Sequence, residues 1–361
     1  MLEPMPVAGE QHTRRKNAGR PRGRRALLWT IGLFLLSQAA LALALAHDGF
    51  AVRDPAQHGR VKILRGRMAE ASLPPKVVVL LGSSHVETGL RARLMSLEVS
   101  EALGRPVVVT NQAVAGGGAF RSLLAVDRLL REGVVPDLVV LETFPPFFGT
   151  TPGHYDTSEA YLPLDRLDEA DIELIRRHGF VRSDLGPARH LAWLAPGYHY
   201  RGNILNYHAP RLLPPERRLQ PPYEEFPMLD LSGEVREKAL AHARTEYFLR
   251  FQKLALADER QVGAVTDVVE RVRAKGSKVV FLAMPEGPTF HSWYPPEVWA
   301  KSAAWLRELA ARHGVPLVDA RQWSDREELF NDSHHLGKTG SEQFSRWLGR
   351  EVLVPQLRAE E

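Results

Sequence analysis

The sequence predicts a three-layer α/β/α sandwich around a five-stranded parallel sheet, preceded by one N-terminal transmembrane helix. Three observations carry that reading. Short, valine-rich apolar runs recur at 76–81, 107–110, 138–142, 278–284 and 315–318, each the length of a strand buried on both faces. Stretches with apolar residues at helical spacing separate them, giving the β-α-β order of a parallel sheet with right-handed crossovers. Residues 26–46 carry no charged side chain.

Composition bounds the alternatives. With 361 residues, 44% hydrophobic and 25% charged, the chain can bury a large core. It has no cysteine, which excludes disulfides and thiolate chemistry. The net charge of +4 is localised: residues 1–25 hold seven basic groups against Glu3 and Glu10, leaving 40 basic and 41 acidic groups over the remainder. The globular part is therefore near neutral and lacks the electrostatic footprint of a nucleic-acid binder.

As a helix, the apolar run 26–46 would be about 31 Å long, close to the ~30 Å hydrocarbon thickness of a bilayer. The basic tail 1–25 predicts a cytoplasmic N-terminus, a single pass through the inner membrane and a periplasmic remainder. Ala44-Leu45-Ala46 has the small-x-small form of a signal-peptide cleavage site, which would release a secreted chain near Ala46. The apolar run exceeds the ~7–15 residues of a signal peptide, which favours a retained anchor. Residues 47–73 are polar, with weak helical spacing at Ile63, Leu64 and Met68, and read as a stalk leading to a domain over 74–361.

After Pro74-Pro75 the first strand runs into Gly82-Ser83-Ser84-His85, then a helix with Leu90, Leu94 and Leu97 on one face, ending near Gly104. The second strand leads into Asn111-Gln112-Ala113-Val114-Ala115-Gly116 and then a helix spaced by Leu123, Leu124, Val126, Leu129 and Leu130. Pro136-Asp137 introduces the third strand. From 143 to 257 the alternation breaks into an insertion rich in Pro, Tyr, His and Arg, with helical pieces around 169–177 and 235–256. It is too long for an ordinary connection and stands where substrate-shaping segments belong. A helix over 261–275, the fourth strand, a helix over 297–313 and the fifth strand complete the pattern. A strand order of 2-1-3-4-5 brings the end of the first strand beside the last loop.

Two stretches hold chemistry. Ser84 presents a hydroxyl at the carboxyl end of a buried strand, where open α/β sheets keep their ligands. It also fits a helix cap, with Glu87 completing a capping box. Downstream, Asp332-Ser333-His334-His335 places an aspartate three residues before a histidine. A carboxylate accepting from one ring nitrogen frees the other to take a proton from a serine. Asp332, His334 and His335 could instead bind a metal, but no second His/Asp cluster of ligand spacing stands elsewhere in the sequence, so none is expected. Asn111, Glu142 and Glu286, at or just beyond the ends of the second, third and fourth strands, are candidate substrate contacts.

A buried strand ending in Gly-x-Ser, an Asn-x4-Gly after the second strand, and Asp-x-x-His-Leu followed by glycine together resemble the SGNH (GDSL-type) hydrolase superfamily. The resemblance covers about residues 74–142 and 258–350. It implies Ser84 as nucleophile, Asp332 and His335 as its partners, and the backbone N–H groups of Ser84 and Gly116 as oxyanion donors. Ser83 stands where the family usually has aspartate. The family's further donor, the asparagine of a Gly-x-Asn after strand three, would fall near Pro146, which has no N–H. Losing one such donor can cost roughly 10²–10³ in rate. Membrane-anchored relatives that serve cell-envelope O-acylation beside membrane-bound O-acyltransferases resemble this chain in lacking that block. The implied function is extracytoplasmic, cofactor-free and metal-free acyl-ester hydrolysis or O-acyl transfer on an envelope glycan or lipid-linked substrate. The alternative is a non-catalytic assembly protein that presents a glycan to such an acyltransferase.

Overall fold

The computed structural model describes residues 20–48, 50–149, 166–179, 185–215, 218, 229–256 and 258–358. Most of the basic tail and parts of the 143–257 insertion lie outside them. Five parallel strands, β1 (Lys76–Leu81), β2 (Val107–Asn111), β3 (Leu138–Glu142), β4 (Lys278–Ala283) and β5 (Leu317–Asp319), form one sheet in the order β2-β1-β3-β4-β5. That is the expected order. The chain reverses direction across the sheet between β1 and β3, which opens a crevice at their carboxyl ends. The register pairs Leu80 with Asn111, Leu81 with Leu141 and Glu142 with Leu282, so the ends of β1, β3 and β4 finish nearly level.

The pleat sorts each strand between two cores. Val77, Val79 and Leu81 face one layer, with the helices Ala119–Arg131 and Glu259–Arg273; Val78 and Leu80 face the other, with Ala92–Leu103 and Lys338–Leu348. Burying a side chain of this size contributes about 1.5–3 kcal/mol, an upper figure because unfolded chains already bury some surface.

Three expectations needed correction. The leucine-faced helix after Ser84 is two helices, Ser84–Gly89 and Ala92–Leu103, and the second buries Ala92, Met95 and Val99 while Leu97 faces solvent. The segment read as a free stalk contains the helix Pro55–Glu70, whose Val61 and Leu64 enter the core and whose Arg67 donates to the Val109 carbonyl at 2.8 Å. Its stripe was too short to register as amphipathic. The fifth strand begins at Leu317 rather than Val315, because Val315 belongs to the preceding helix end. Gly314 takes the left-handed conformation (φ 57°) and the Val315 N–H returns to the Ala310 carbonyl at 3.0 Å, a Schellman-type stop.

The helix Arg20–Asp48 contains a 23-residue span, Gly23–Leu45, that is long and apolar enough to cross a bilayer although it opens with Arg24 and Arg25. The insertion contributes the helices Glu169–Arg177 and Gly233–Gln252. Ala243, Tyr247 and Phe251 of the second pack with Phe144, Phe290, Trp293 and Tyr294 into a third, aromatic cluster.

Candidate active site

β1 leaves the sheet through Gly82 at φ +157°, a conformation that side-chain-bearing residues rarely adopt. A Cβ there would run into the Glu142 carboxylate and come within 2.8 Å of Val86 Cγ2. The helix that follows is capped by Ser83, whose hydroxyl accepts from the His85 N–H at 3.2 Å. The capping task open to Ser84 thus falls to its neighbour, in the place where the resembling family has aspartate. Glu87 completes no capping box; its carboxylate accepts from Arg60 at 2.6 Å and from the Ala115 N–H at 2.7 Å. Ser84, the first helical residue, is left half-exposed with its hydroxyl free to point across the crevice.

It points at His335. Ser84 Oγ lies 2.7 Å from His335 Nε2, and His335 Nδ1 lies 2.7 Å from Asp332 Oδ2. The other carboxylate oxygen, Oδ1, accepts from the backbone N–H groups of His335 (2.7 Å) and His334 (3.2 Å). Burial opposes ionisation of Asp332, but its contacts with His334 and His335 hold it well below the usual carboxylate range. An ionised Asp332 fixes the His335 proton on Nδ1, so Nε2 is an acceptor and Ser84 its donor. Ser84, His335 and Asp332 are therefore one hydrogen-bonded chain, the geometry in which a serine is activated by a base.

The loop bearing Asp332 and His335 is held from within. Ser333 sits at φ 68°, the described non-glycine residue with positive φ, between Asp332 and His335. Its buried hydroxyl accepts from the Phe290 N–H at 2.8 Å and donates to Glu327 at 3.2 Å, and its carbonyl accepts from Gly287 N–H at 2.6 Å. The Asn331 N–H closes the loop on the His335 carbonyl at 2.8 Å. Asn331 also ties it to the insertion through Leu229 and Leu231.

Other candidates have different tasks. Asn111 donates its side-chain amide to the Val86 carbonyl at 2.8 Å and accepts from Ala113 N–H at 3.1 Å; it fastens the loop after β2 to the Ser84 helix. Glu142 is buried beneath the turn, accepting from the Ser83 N–H at 2.6 Å with His85 Nδ1 at 3.2 Å. Glu286 is buried against Tyr294, whose hydroxyl donates to it at 3.0 Å. Burial pushes its pKa up to about 8, against the pull of Arg321 and the Tyr294 bond. The substrate-contact expectation for these three thus meets burial and internal bonds. Their positions on strand ends were legible in the sequence; the direction of each side chain was not. Gly116 lies half-exposed at φ 68° in the turn from Val114 to Gly117, the loop that Val114 N–H anchors to the Gly82 carbonyl at 3.1 Å. Pro146 sits in the short 3₁₀ turn Pro145–Phe148 and offers no donor there.

Two histidines extend the site. His334 stacks on Phe290 with ring centroids 4.9 Å apart and contacts Tyr247 of the insertion. Burial and the nearby His335 draw its pKa down to about 3, so it stays neutral, with Nδ1 3.1 Å from Asp332 Oδ1. His85, which sequence reading passed over as part of a helix start, is buried between Phe144, His334 and His335 at centroid distances of 4.6, 5.0 and 5.1 Å. One nitrogen from each of His85, His334 and His335 lies within 4.8 Å of the others, a set able to gather a cation. A cation held there would take His335 from Ser84 or Asp332, both already at 2.7 Å.

No protein-family model matches the chain, and no curated protein matches it. Solved structures resembling it include TesA (13% identity, 79% of this chain and 99% of that one, TM-score 0.38). Two others are the psychrotrophic esterase EstA from Pseudoalteromonas sp. (10% identity, 79% and 97%, TM-score 0.38) and LAE5, an alpha/beta hydrolase enzyme from the metagenome of Lake Arreo, Spain (12% identity, 77% and 96%, TM-score 0.34). Likenesses this distant bear on neither activity nor substrate.

Proposed function

We propose that the protein is a serine-dependent acyl-ester hydrolase or O-acyltransferase of the SGNH type, held at the outer face of the inner membrane by Arg20–Asp48. The observation that carries the reading is the unbroken chain of 2.7 Å contacts from Ser84 through His335 to Asp332 at the carboxyl edge of the sheet. Ser84 Oγ attacks the ester carbonyl while His335 Nε2 takes its proton, and Asp332 stabilises the imidazolium that forms. The N–H groups of Ser84 and Gly116 receive the oxyanion. The tetrahedral intermediate collapses to a Ser84 ester as His335 returns the proton to the leaving alcohol. A second hydroxyl, from water or from a sugar, then repeats the sequence in reverse and frees Ser84. Water makes the enzyme an esterase; a glycan hydroxyl makes it a transferase, working beside a membrane-bound O-acyltransferase.

Turnover of p-nitrophenyl acetate by the full chain in detergent tests this. Ser84→Ala, His335→Ala and the double variant should each lose activity to a similar floor, since nucleophile and base act as a unit. Full activity in folded Ser84→Ala would overturn the mechanism.

A further inference from the structure

Beside the loop that follows β2 lies a cavity of about 70 Å³, walled by the helices Pro55–Glu70 and Ala119–Arg131 and lined by Asp54, Arg60, Arg121, Arg128 and Arg166. A water needs only ~10–15 Å³ of such space, so the cavity has room for a small polyatomic anion. Three of the four guanidiniums are answered. Arg128 meets Asp54 at 2.9 Å and Asp171 at 2.6 Å. Arg60 meets Glu87 at 2.6 Å and the Ala113 carbonyl at 2.5 Å, and Arg166 lies 3.8 Å from Asp54. Among the described residues, no hydrogen bond or ion pair engages Arg121. Arg121 is half-buried, and its planar fork matches a phosphate or carboxylate.

We propose that this cavity binds an anionic oxygen group, a phosphate or a carboxylate, with Arg121 as the anchoring donor, and that the group belongs to the substrate whose ester reaches Ser84. The second half rests on the hydrolase reading; the anion site itself does not. The cavity and the nucleophile share one loop. Val114 lines the cavity while its N–H holds the Gly82 carbonyl at 3.1 Å, and Ala115 N–H bonds Glu87 of the Ser84 helix at 2.7 Å. An anion drawn in by Arg121 thus lies against the segment that carries Gly116. Burial, together with the nearby Arg128, Arg166 and Arg60, draws the Arg121 pKa down to about 10 despite Asp54, and an anion in the cavity would offset that repulsion. The substrate class that follows is an acylated molecule with an acidic group near the ester, such as a uronic-acid glycan or a phosphate-bearing glycan or glycerol.

Calorimetric titration of the full chain in nonionic detergent with glycerol 3-phosphate and, separately, glucuronate tests the site and distinguishes the two sources. Wild type and Ser84→Ala should bind one or both. Arg121→Gln should bind at least ~10-fold more weakly, a loss of ~1.4 kcal/mol. V114E, which places a carboxylate at the cavity rim, should abolish binding and decides the matter should Arg121→Gln not fold. Arg312→Gln, on a remote helix, should bind as wild type. Absence of binding to either ligand below ~10 mM, or undiminished binding in both cavity variants, would overturn the proposal. Anion binding alongside unchanged ester turnover in Ser84→Ala would sink the hydrolase reading and leave the anion site standing.

Discussion

Replacing Asp332 with asparagine removes charge while sparing the loop. Oδ1 accepts the backbone N–H groups of His334 and His335, and an asparagine oxygen can keep both bonds. The amide nitrogen would then occupy the Oδ2 position, 2.7 Å from His335 Nδ1. Being a donor, it forces the His335 proton onto Nε2, the atom that must accept from Ser84, and it no longer stabilises the imidazolium. The analogous substitution in a serine protease lowers kcat by about 10⁴, or about 5–6 kcal/mol of transition-state stabilisation. For p-nitrophenyl acetate we expect kcat/KM to fall roughly 10³–10⁴-fold, less than in Ser84→Ala or His335→Ala, with a melting temperature near that of wild type. A loss under ~10-fold with the fold intact would refute the orienting role of Asp332.

Gly82→Ala should destabilise by about 1–3 kcal/mol and lower activity together, because its methyl meets Glu142 and displaces the carboxylate from the Ser83 N–H; thermal melts and turnover read the two effects. Glu286, with its pKa raised to about 8, contributes stability at low pH that is lost as pH rises toward that value. Glu286→Gln stays neutral, so it should match wild type at pH 4 and melt higher at pH 9; parallel melting curves across that range would contradict the burial argument. Leu33→Arg with Leu41→Arg should hinder membrane insertion, each charge costing ~2.5–3.5 kcal/mol near a helix centre, and carbonate extraction of membranes reads the outcome.

Much of this architecture was legible because period-2 and period-3.6 patterns are direct records of burial. Four of the five valine-rich runs are strands buried along nearly their whole length while the fifth is a half-exposed edge strand, and the strand order 2-1-3-4-5 was expected from where the site motifs stand. Ser84, Asp332 and His335 were picked out by residue type and motif, Ser84 just beyond β1 and the other two in the loop before the helix Lys338–Leu348, and the fold brings their side chains into hydrogen-bond reach. The remainder depended on three-dimensional direction. Val61 and Leu64 look like scattered apolar residues in a polar segment until the edge of the sheet supplies a surface for them. Asn111, Glu142 and Glu286 end in the right layer, yet they turn inward to backbone or buried partners. Ser83 and Ser84 are indistinguishable in sequence; only the turn at Gly82 assigns one to the cap and the other to His335. The surroundings of His85 depend on the distant His334 and Phe144, which leave no local pattern.

The most direct measurement is covalent. The folded full chain in detergent is treated with a fluorophosphonate, digested, and the adduct mapped by mass spectrometry. A single adduct on Ser84, abolished by Ser84→Ala and strongly slowed in His335→Ala, is the expected result. A folded wild type that takes no label, or an adduct that persists on another residue in Ser84→Ala, would contradict the assignment of Ser84 as an activated nucleophile.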